Sequence, residues 1–194
     1  MPQAYLPTSP YCTIGPFFPG SFAQGCEDLT SVQGKRAQGQ HIELTGQIFE
    51  EGQRPIQNAV IEIWQPDANG IFRHPLDPRF AEADPGFFGW GRVRTDRDGR
   101  YSFRTVLPGS SRGRAPHINL MILAIGLTRR LVTTVFFDAS DSVRDPVLDA
   151  VADPRARARM FARREALQNG TGPQNVYHFD IVTRGESETP FFID

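Results

Sequence analysis

Residues 41–51, HIELTGQIFEE, place Ile42, Leu44, Gly46 and Ile48 on one side of an extended chain. Strand side chains alternate with period two, so this is a β-strand with one apolar face. Gly52 turns the chain, and AVIEIWQPD (59–67) is the next strand. There Val60, Glu62 and Trp64 lie opposite Ile61, Ile63 and Gln65. Further along, RVRTDRDGRYSFRTVLPG reads as two strands about an Asp98-Gly99 turn. HINLMILAIG (117–126) and LVTTVFFDA (131–139) are buried strands, and VYHFDIVTRG (176–185) is a final alternating one. One helix is predicted over DPRARARMFARREALQNG (153–170), with Asp153 as N-cap, Pro154 at the first position and Gly170 past the end.

The rest of the chain is turns and loops. Sixteen prolines and 18 glycines spread along 194 residues, with 15 phenylalanines, favour an all-β sandwich or barrel. Residues 67–91 carry no sustained period and form a long loop, a length that in compact domains marks function or an interface. Residues 1–40 form an irregular N-terminal arm, rich in aromatic residues that need a surface to pack on, ahead of a core over 41–194. With no repeats and no low-complexity linker, residues 1–194 are expected to be a single domain.

Several functions are disfavoured by composition. A net charge of -1 argues against a nucleic-acid binder, which needs a clustered basic surplus. Cys12 and Cys26 make neither a metal-binding spacing nor a disulfide framework. The opening MPQAYLPTSPYC lacks the basic start and apolar run of a secretory signal. No apolar stretch reaches the roughly 20 residues of a membrane span. The expectation is a soluble cytoplasmic protein.

A strand bearing His-x-His would present two imidazoles to one transition metal. The segment RAPHIN (114–119) has that frame with His117 in place and Asn119 two residues on. An amide is a poor ligand beside an imidazole. His41 opens a strand, and neither His74 nor His178 has an acid, base or nucleophile at a convincing spacing.

Taken in order, five segments resemble the intradiol ring-cleaving dioxygenases. They are T-x-G-P-F (13–17), IEIWQPDANG (61–70), TDRDGRYSFRTVLPG (95–109), R-x-P-H-I-N (114–119) and the closing YHFDIVTRGESETPFF. The resemblance implies a prealbumin-like β-sandwich and a ferric ion held by two tyrosines and two histidines, which activates a catechol for attack by O2. In the catalytic beta subunits of such enzymes the histidines form an H-I-H motif, one tyrosine follows the Pro-Gly turn, and the other lies in the loop matching residues 76–82. Here Ser110-Ser111 follow Pro108-Gly109, and Arg79 or Phe80 stands in the loop. Of the four tyrosines, Tyr5 and Tyr11 lie in the arm, and Tyr101 and Tyr177 sit mid-strand as core residues.

The resemblance is therefore to the alpha-type subunits, which lack these ligands. It implies that His117 and Asn119 mark a vestigial metal position, that no metal is bound by this chain, and that Fe(III) sits in an iron-bearing beta subunit. It also implies that Thr13, Gly15, Pro16 and Phe17 line the partner's substrate pocket, within a higher-order assembly of αβ pairs acting on a catechol-type substrate and O2. Ile125 stands where alpha-type chains carry an arginine able to meet a substrate carboxylate. The competing reading is a non-catalytic β-sandwich binding module. The aromatic arm, together with Phe87-Phe88-Gly89-Trp90, is expected to present apolar surface to a partner.

Overall fold

The structure is a computed structural model that describes residues 19–137, 143–165 and 175–192. Its strands are β1 (Ser31–Val32), β2 (Lys35–Arg36), β3 (His41–Glu50), β4 (Arg54–Pro55), β5 (Val60–Trp64), β6 (Trp90–Arg94), β7 (Arg100–Val106), β8 (His117–Leu123) and β9 (Leu131–Phe136). Two short helices follow, α1 (Pro146–Ala150) and α2 (Pro154–Ala158), then β10 (Arg163–Arg164), β11 (Val176–His178) and β12 (Ile181–Val182). β1 and β2 form a small ribbon of their own, inside the stretch expected to be irregular.

Two sheets make the sandwich. In the first, β3 is central, with β7 and β4 antiparallel to it and β11 and β12 parallel to it, β10 extending beyond β11. The second runs β6-β5-β8-β9, all antiparallel. Alternation explains the packing. Ile42, Leu44 and Ile48 of β3, with Tyr101 and Phe103 of β7, meet Ile61, Ile63, Ile118, Leu120, Ile122 and Val135 of the other sheet in one core. Each fully buried aliphatic or aromatic side chain contributes about 1.5–3 kcal/mol. Among the described residues, no helix is long and apolar enough to cross a membrane.

The Asp98-Gly99 turn is present, but it does not close a hairpin. β6 pairs with β5 and β7 with β3, so the turn carries the chain from one sheet to the other. Asp96 holds it by accepting the N–H groups of Asp98 and Arg100 at 2.9 and 2.8 Å.

Helix α2 starts as expected, with the Asp153 carboxylate accepting the Arg155 N–H at 2.9 Å. It ends at Ala158, well short of the span expected from sequence. Met160 and Ala162 instead pair with Phe136 through backbone bonds of 2.9 and 2.8 Å, and Arg163–Arg164 joins β11. Sheet pairing and burial of Met160 outweigh helix propensity, which is a weak preference; Gly170 lies outside the described residues.

The closing strand is split. β11 and β12 keep one register along β3, and between them Asp180 offers a side-chain carboxylate to the Gln47 N–H at 2.9 Å. The Phe179 carbonyl accepts the Tyr101 hydroxyl at 2.6 Å, and burial pushes the Tyr101 phenol well above its ordinary pKa, keeping it a donor. Gly46, the cross-strand partner of Tyr101, makes room for this bond. A Cβ there would collide with the Phe179 carbonyl and stand 2.9 Å from the Tyr101 hydroxyl.

That crowding sets the first prediction. Gly46→Ala should lower the unfolding free energy by about 1–3 kcal/mol, as overpacking does, read from the urea midpoint. An unchanged midpoint would show that Phe179 can move off β3 without cost.

Candidate functional site

The outer face of the second sheet carries the chemistry, because its inner face is spent on the core. Trp90, Trp64, Asn119 and Thr134 lie in one cross-strand row, and His117 faces Phe136 in the row alongside. Ile118 and Leu120 point inward, which turns His117 and Asn119 outward together.

His117 is 2% exposed, between the rings of Phe72 and Phe136 with centroids at 6.5 and 6.1 Å. Its Nδ1 is 2.7 Å from the Ala115 carbonyl. A carbonyl only accepts, so Nδ1 carries the proton and Nε2 keeps a lone pair. Burial depresses the pKa of the ring; the Ala115 bond opposes this, the Arg114 charge reinforces it and the Asp145 charge opposes it. Asn119 Oδ1 accepts the Thr134 hydroxyl at 3.1 Å.

Arg114, three residues before His117, is locked to Asp145. Its Nε lies 2.9 and 2.7 Å from the two carboxylate oxygens, and the same buried carboxylate takes the Ala115 and Val147 N–H groups at 2.9 and 2.8 Å. The last of these caps α1, an element the sequence reading lacked. Its signal was Asp145-Pro146, the same Asp-Pro start that marks α2.

The long loop after β5 folds back over this face. Asp67 Oδ1 accepts the N–H groups of Asn69 and Ile71 at 2.9 and 3.0 Å, and Oδ2 accepts that of Asp84 at 2.9 Å. Gly70, at φ +76, packs against Ser110, where a Cβ would strike the carbonyl. The W-Q-x-D-x-N-G and P-G motifs are thus two halves of one backbone contact, closed by Gly109 N–H to the Asp67 carbonyl at 3.0 Å.

Held in this way, Phe72 stacks on Trp64 (5.5 Å, 25°) and His74 meets Trp64 edge-on (6.3 Å, 84°). With Leu76, Asp77 and Arg112 they line a cleft of about 510 Å³. Arg112 donates to the Leu76 carbonyl at 2.8 Å and stands 3.9 Å from the Asp77 carboxylate. The Arg79 N–H, and then that of Phe72, hold the Asp77 carboxyl below its usual pKa although burial opposes them.

The candidate residues from sequence are distributed unevenly. Thr13, Gly15, Pro16 and Phe17 lie outside the described residues, as do Tyr5 and Tyr11. His117 and Asn119 share one face, as the spacing required. Arg79 turns its guanidinium to the Gly70 carbonyl at 2.8 Å, and Phe80 is exposed. Ser111 is buried, its hydroxyl without a partner among the described residues. Tyr101 and Tyr177 are core residues. Ile125 is 58% exposed.

Two expectations need correction. His178 does have an acid partner: its Nε2 lies 2.8 Å from Asp180, with Thr45 Oγ1 3.3 Å from Nδ1. Of the Phe87–Trp90 segment only Phe88 is an exposed apolar side chain, since Phe87 fills the core. Sequence reasoning also missed the cleft, which joins Trp64, Phe72 and Arg112 across 48 positions, a distance no periodicity spans.

Comparison with known proteins gives a consistent result. A family model described as Dioxygenase matches residues 14–116. The chain is 34% identical over 199 residues to the protocatechuate 3,4-dioxygenase alpha chain of Burkholderia cepacia, covering 96% of this chain and 98% of that one. It is 34% identical over 173 residues to the beta chain of the same enzyme and organism, covering 84% and 73% respectively. Among solved structures, an intradiol ring-cleavage dioxygenase from Tetranychus urticae superposes with a TM-score of 0.57 at 20% identity, over 91% of this chain and 94% of that one. That likeness carries the fold.

The buried imidazole makes stability depend on pH. The folded pKa of His117 lies below the ordinary 6.5, so between the two values the unfolded chain binds the extra proton. Stability from this group is full above about pH 6.5 and falls as pH drops towards the folded value. Denaturation free energies from about pH 5 to 7.5 should show this decline in the wild type and a flatter profile in His117→Gln. An equal slope in both would assign the effect to another group.

Proposed function

The chain belongs to the intradiol dioxygenase family, and we propose that it serves there as the iron-free, alpha-type partner of an iron-bearing beta-type homologue. The observation that carries this reading is the donor set around His117. One imidazole nitrogen remains, its neighbour is an amide already bonded to Thr134, and Arg79, Phe80, Ser110 and Ser111 stand where the resemblance places phenolates. Ferric iron favours anionic oxygen donors. Among the described residues, no three of His, Cys, Asp and Glu converge as ligands either. The set does not fit a ferric centre, so no step of the reaction runs through this chain's His117.

Identity alone does not separate the two subunit roles, because both Burkholderia chains match at 34%. The reading rests on the ligand positions and on near-complete coverage of the alpha chain. In the complex, the partner's iron supplies the activation of catechol and O2. The ring opens between its two hydroxyl-bearing carbons, each taking one oxygen atom, to give a cis,cis-muconate; protocatechuate gives the 3-carboxy product. This chain contributes shape: Thr13, Gly15, Pro16 and Phe17 line the partner's pocket. Glycine at position 15 lets backbone approach the substrate closely. Ile125 offers no charge to a substrate carboxylate, so catechol belongs in the assay beside protocatechuate.

Two experiments test the reading. The purified chain alone should be colourless and without stoichiometric iron, while the complex co-expressed with a beta-type homologue shows tyrosinate-to-iron absorption and turnover. A red-brown, iron-loaded sample of the single chain would overturn the iron-free role. In the complex, Gly15→Val should lower kcat/KM by about 1–3 kcal/mol in transition-state terms, with iron content and assembly intact. Unchanged turnover in the intact complex would remove residues 13–17 from the pocket. Should the valine block assembly, Phe17→Ala provides the same readout without forcing the backbone.

A further inference from the structure

The proposed function leaves the cleft beside His117 without a role. Trp64 in the lining brings an indole, whose N–H is a donor only. The Nδ1 atom of His74 accepts the Leu76 N–H at 3.2 Å, so the proton of the neutral ring sits on Nε2, which is a second donor. Arg112 spends one N–H on the Leu76 carbonyl, and a guanidinium has five. Asp77 is the only carboxylate in the lining, and its two oxygens already accept the Arg79 and Phe72 N–H groups at 2.9 and 3.1 Å. The cleft therefore sets donors and a cation against an aromatic wall, and each oxygen of its Asp77 carboxylate already holds a backbone N–H.

Arg112 and Gly113, at φ +50 and +76, are the two centre residues of the tight Ser111–Arg114 turn, which carries Arg112 at the rim of the cleft. The Asp77 carboxylate stands 3.9 Å from its guanidinium, beyond hydrogen-bond reach. A guanidinium so placed matches a carboxylate in two-pronged geometry. The Trp64–Phe72 surface matches a flat ring. A volume of about 510 Å³ suits a single small molecule.

We propose that the cleft lined by Trp64, Phe72, His74 and Arg112 is a metal-independent binding site for a planar aromatic carboxylate. The carboxylate meets Arg112 and the donors of His74 and Trp64, and the ring lies on the Trp64–Phe72 surface. The inference does not depend on the pairing with an iron-bearing partner.

Calorimetric titration of the full-length chain with benzoate tests this, with benzamide and cyclohexanecarboxylate as probes lacking the charge and the flat ring. Benzoate should bind at one site per chain, each control at least about tenfold more weakly, and Arg112→Gln should weaken benzoate at least about tenfold, or 1.4 kcal/mol. The variant should melt at the wild-type temperature, because Arg112 is exposed and its one bond is to a loop carbonyl. If the chain is handled as a complex, benzoate also has the partner's iron site. The site proposed here is then the one lost in Arg112→Gln while the partner's visible absorption stays as it was. No benzoate binding at about 20 mM, well above the millimolar affinity worth roughly 4 kcal/mol, would overturn the proposal. So would equal binding by Arg112→Gln, or by cyclohexanecarboxylate.

Discussion

The carboxylate of Asp67 is the point on which the site side of this sandwich depends. The chain leaves β5 at Trp64 and does not rejoin a sheet until Trp90, so the backbone between has no ladder partner. Buried N–H groups without acceptors cost about 1–3 kcal/mol each. Asp67 takes three of them, Asp84 takes those of Gly86 and Gln38 at 2.8 and 2.7 Å, and Asp77 takes two more. A buried carboxylate is itself costly unless its oxygens are satisfied. Here each solves the other's problem, and a long loop becomes a fixed wall carrying Phe72, His74 and Arg79.

Gln65 ties that wall to both sheets. Its amide nitrogen donates to the Val106 carbonyl at 2.9 Å and its oxygen accepts the Thr105 hydroxyl at 2.8 Å. Since Gln65 follows β5 and Val106 ends β7, one buried side chain couples the exit of the second sheet to the exit of the first. On the same outer face, Arg92 bonds Glu62 through Nε at 2.7 Å and reaches the Phe22 carbonyl at 3.1 Å, with the Phe22 ring 3.8 Å from its guanidinium carbon. Stacking on a guanidinium is worth about 0.5–2 kcal/mol. It anchors the first described turn of the chain to the site-bearing sheet.

Keeping a frame while changing its chemistry is physically easy on such a scaffold. The positions of His117 and Asn119 are set by strand alternation and by the core residue between them, whereas their side chains face away from the inter-sheet core, His117 against Phe72 and Phe136 and Asn119 against Thr134. Around them, cations and hydroxyls have gathered: Arg79, Arg112, Arg114, Ser111 and Thr134. Arg114 is neutralised by Asp145. Arg112 is only distantly matched, which gives the outer cleft its anion-seeking character.

Period-two alternation was enough to determine the strands β3, β5, β8 and β9, the inward set of Ile42, Leu44, Ile48, Ile61 and Ile63, and the pairing of His117 with Asn119 on one face. These are local properties, readable wherever a strand is long and half-buried. The ordered motifs likewise carried the family, because glycines and buried acids at fixed spacing answer to backbone geometry. Tertiary structure decided what depends on meeting another segment. The Asp98-Gly99 turn crosses between sheets because β3 and β5 compete for its two arms. Helix α2 stops at Ala158 because Phe136 offers Met160 and Ala162 a strand edge. Asp180 stands two residues after His178 on the same face, but its other carboxylate contact, the Gln47 N–H, belongs to β3 and could not be read from that spacing. The cleft exists only because a loop ordered by three carboxylates folds Phe72 onto Trp64 and brings Arg112 beside them, and contacts between segments so far apart in the chain leave no period in the sequence to read.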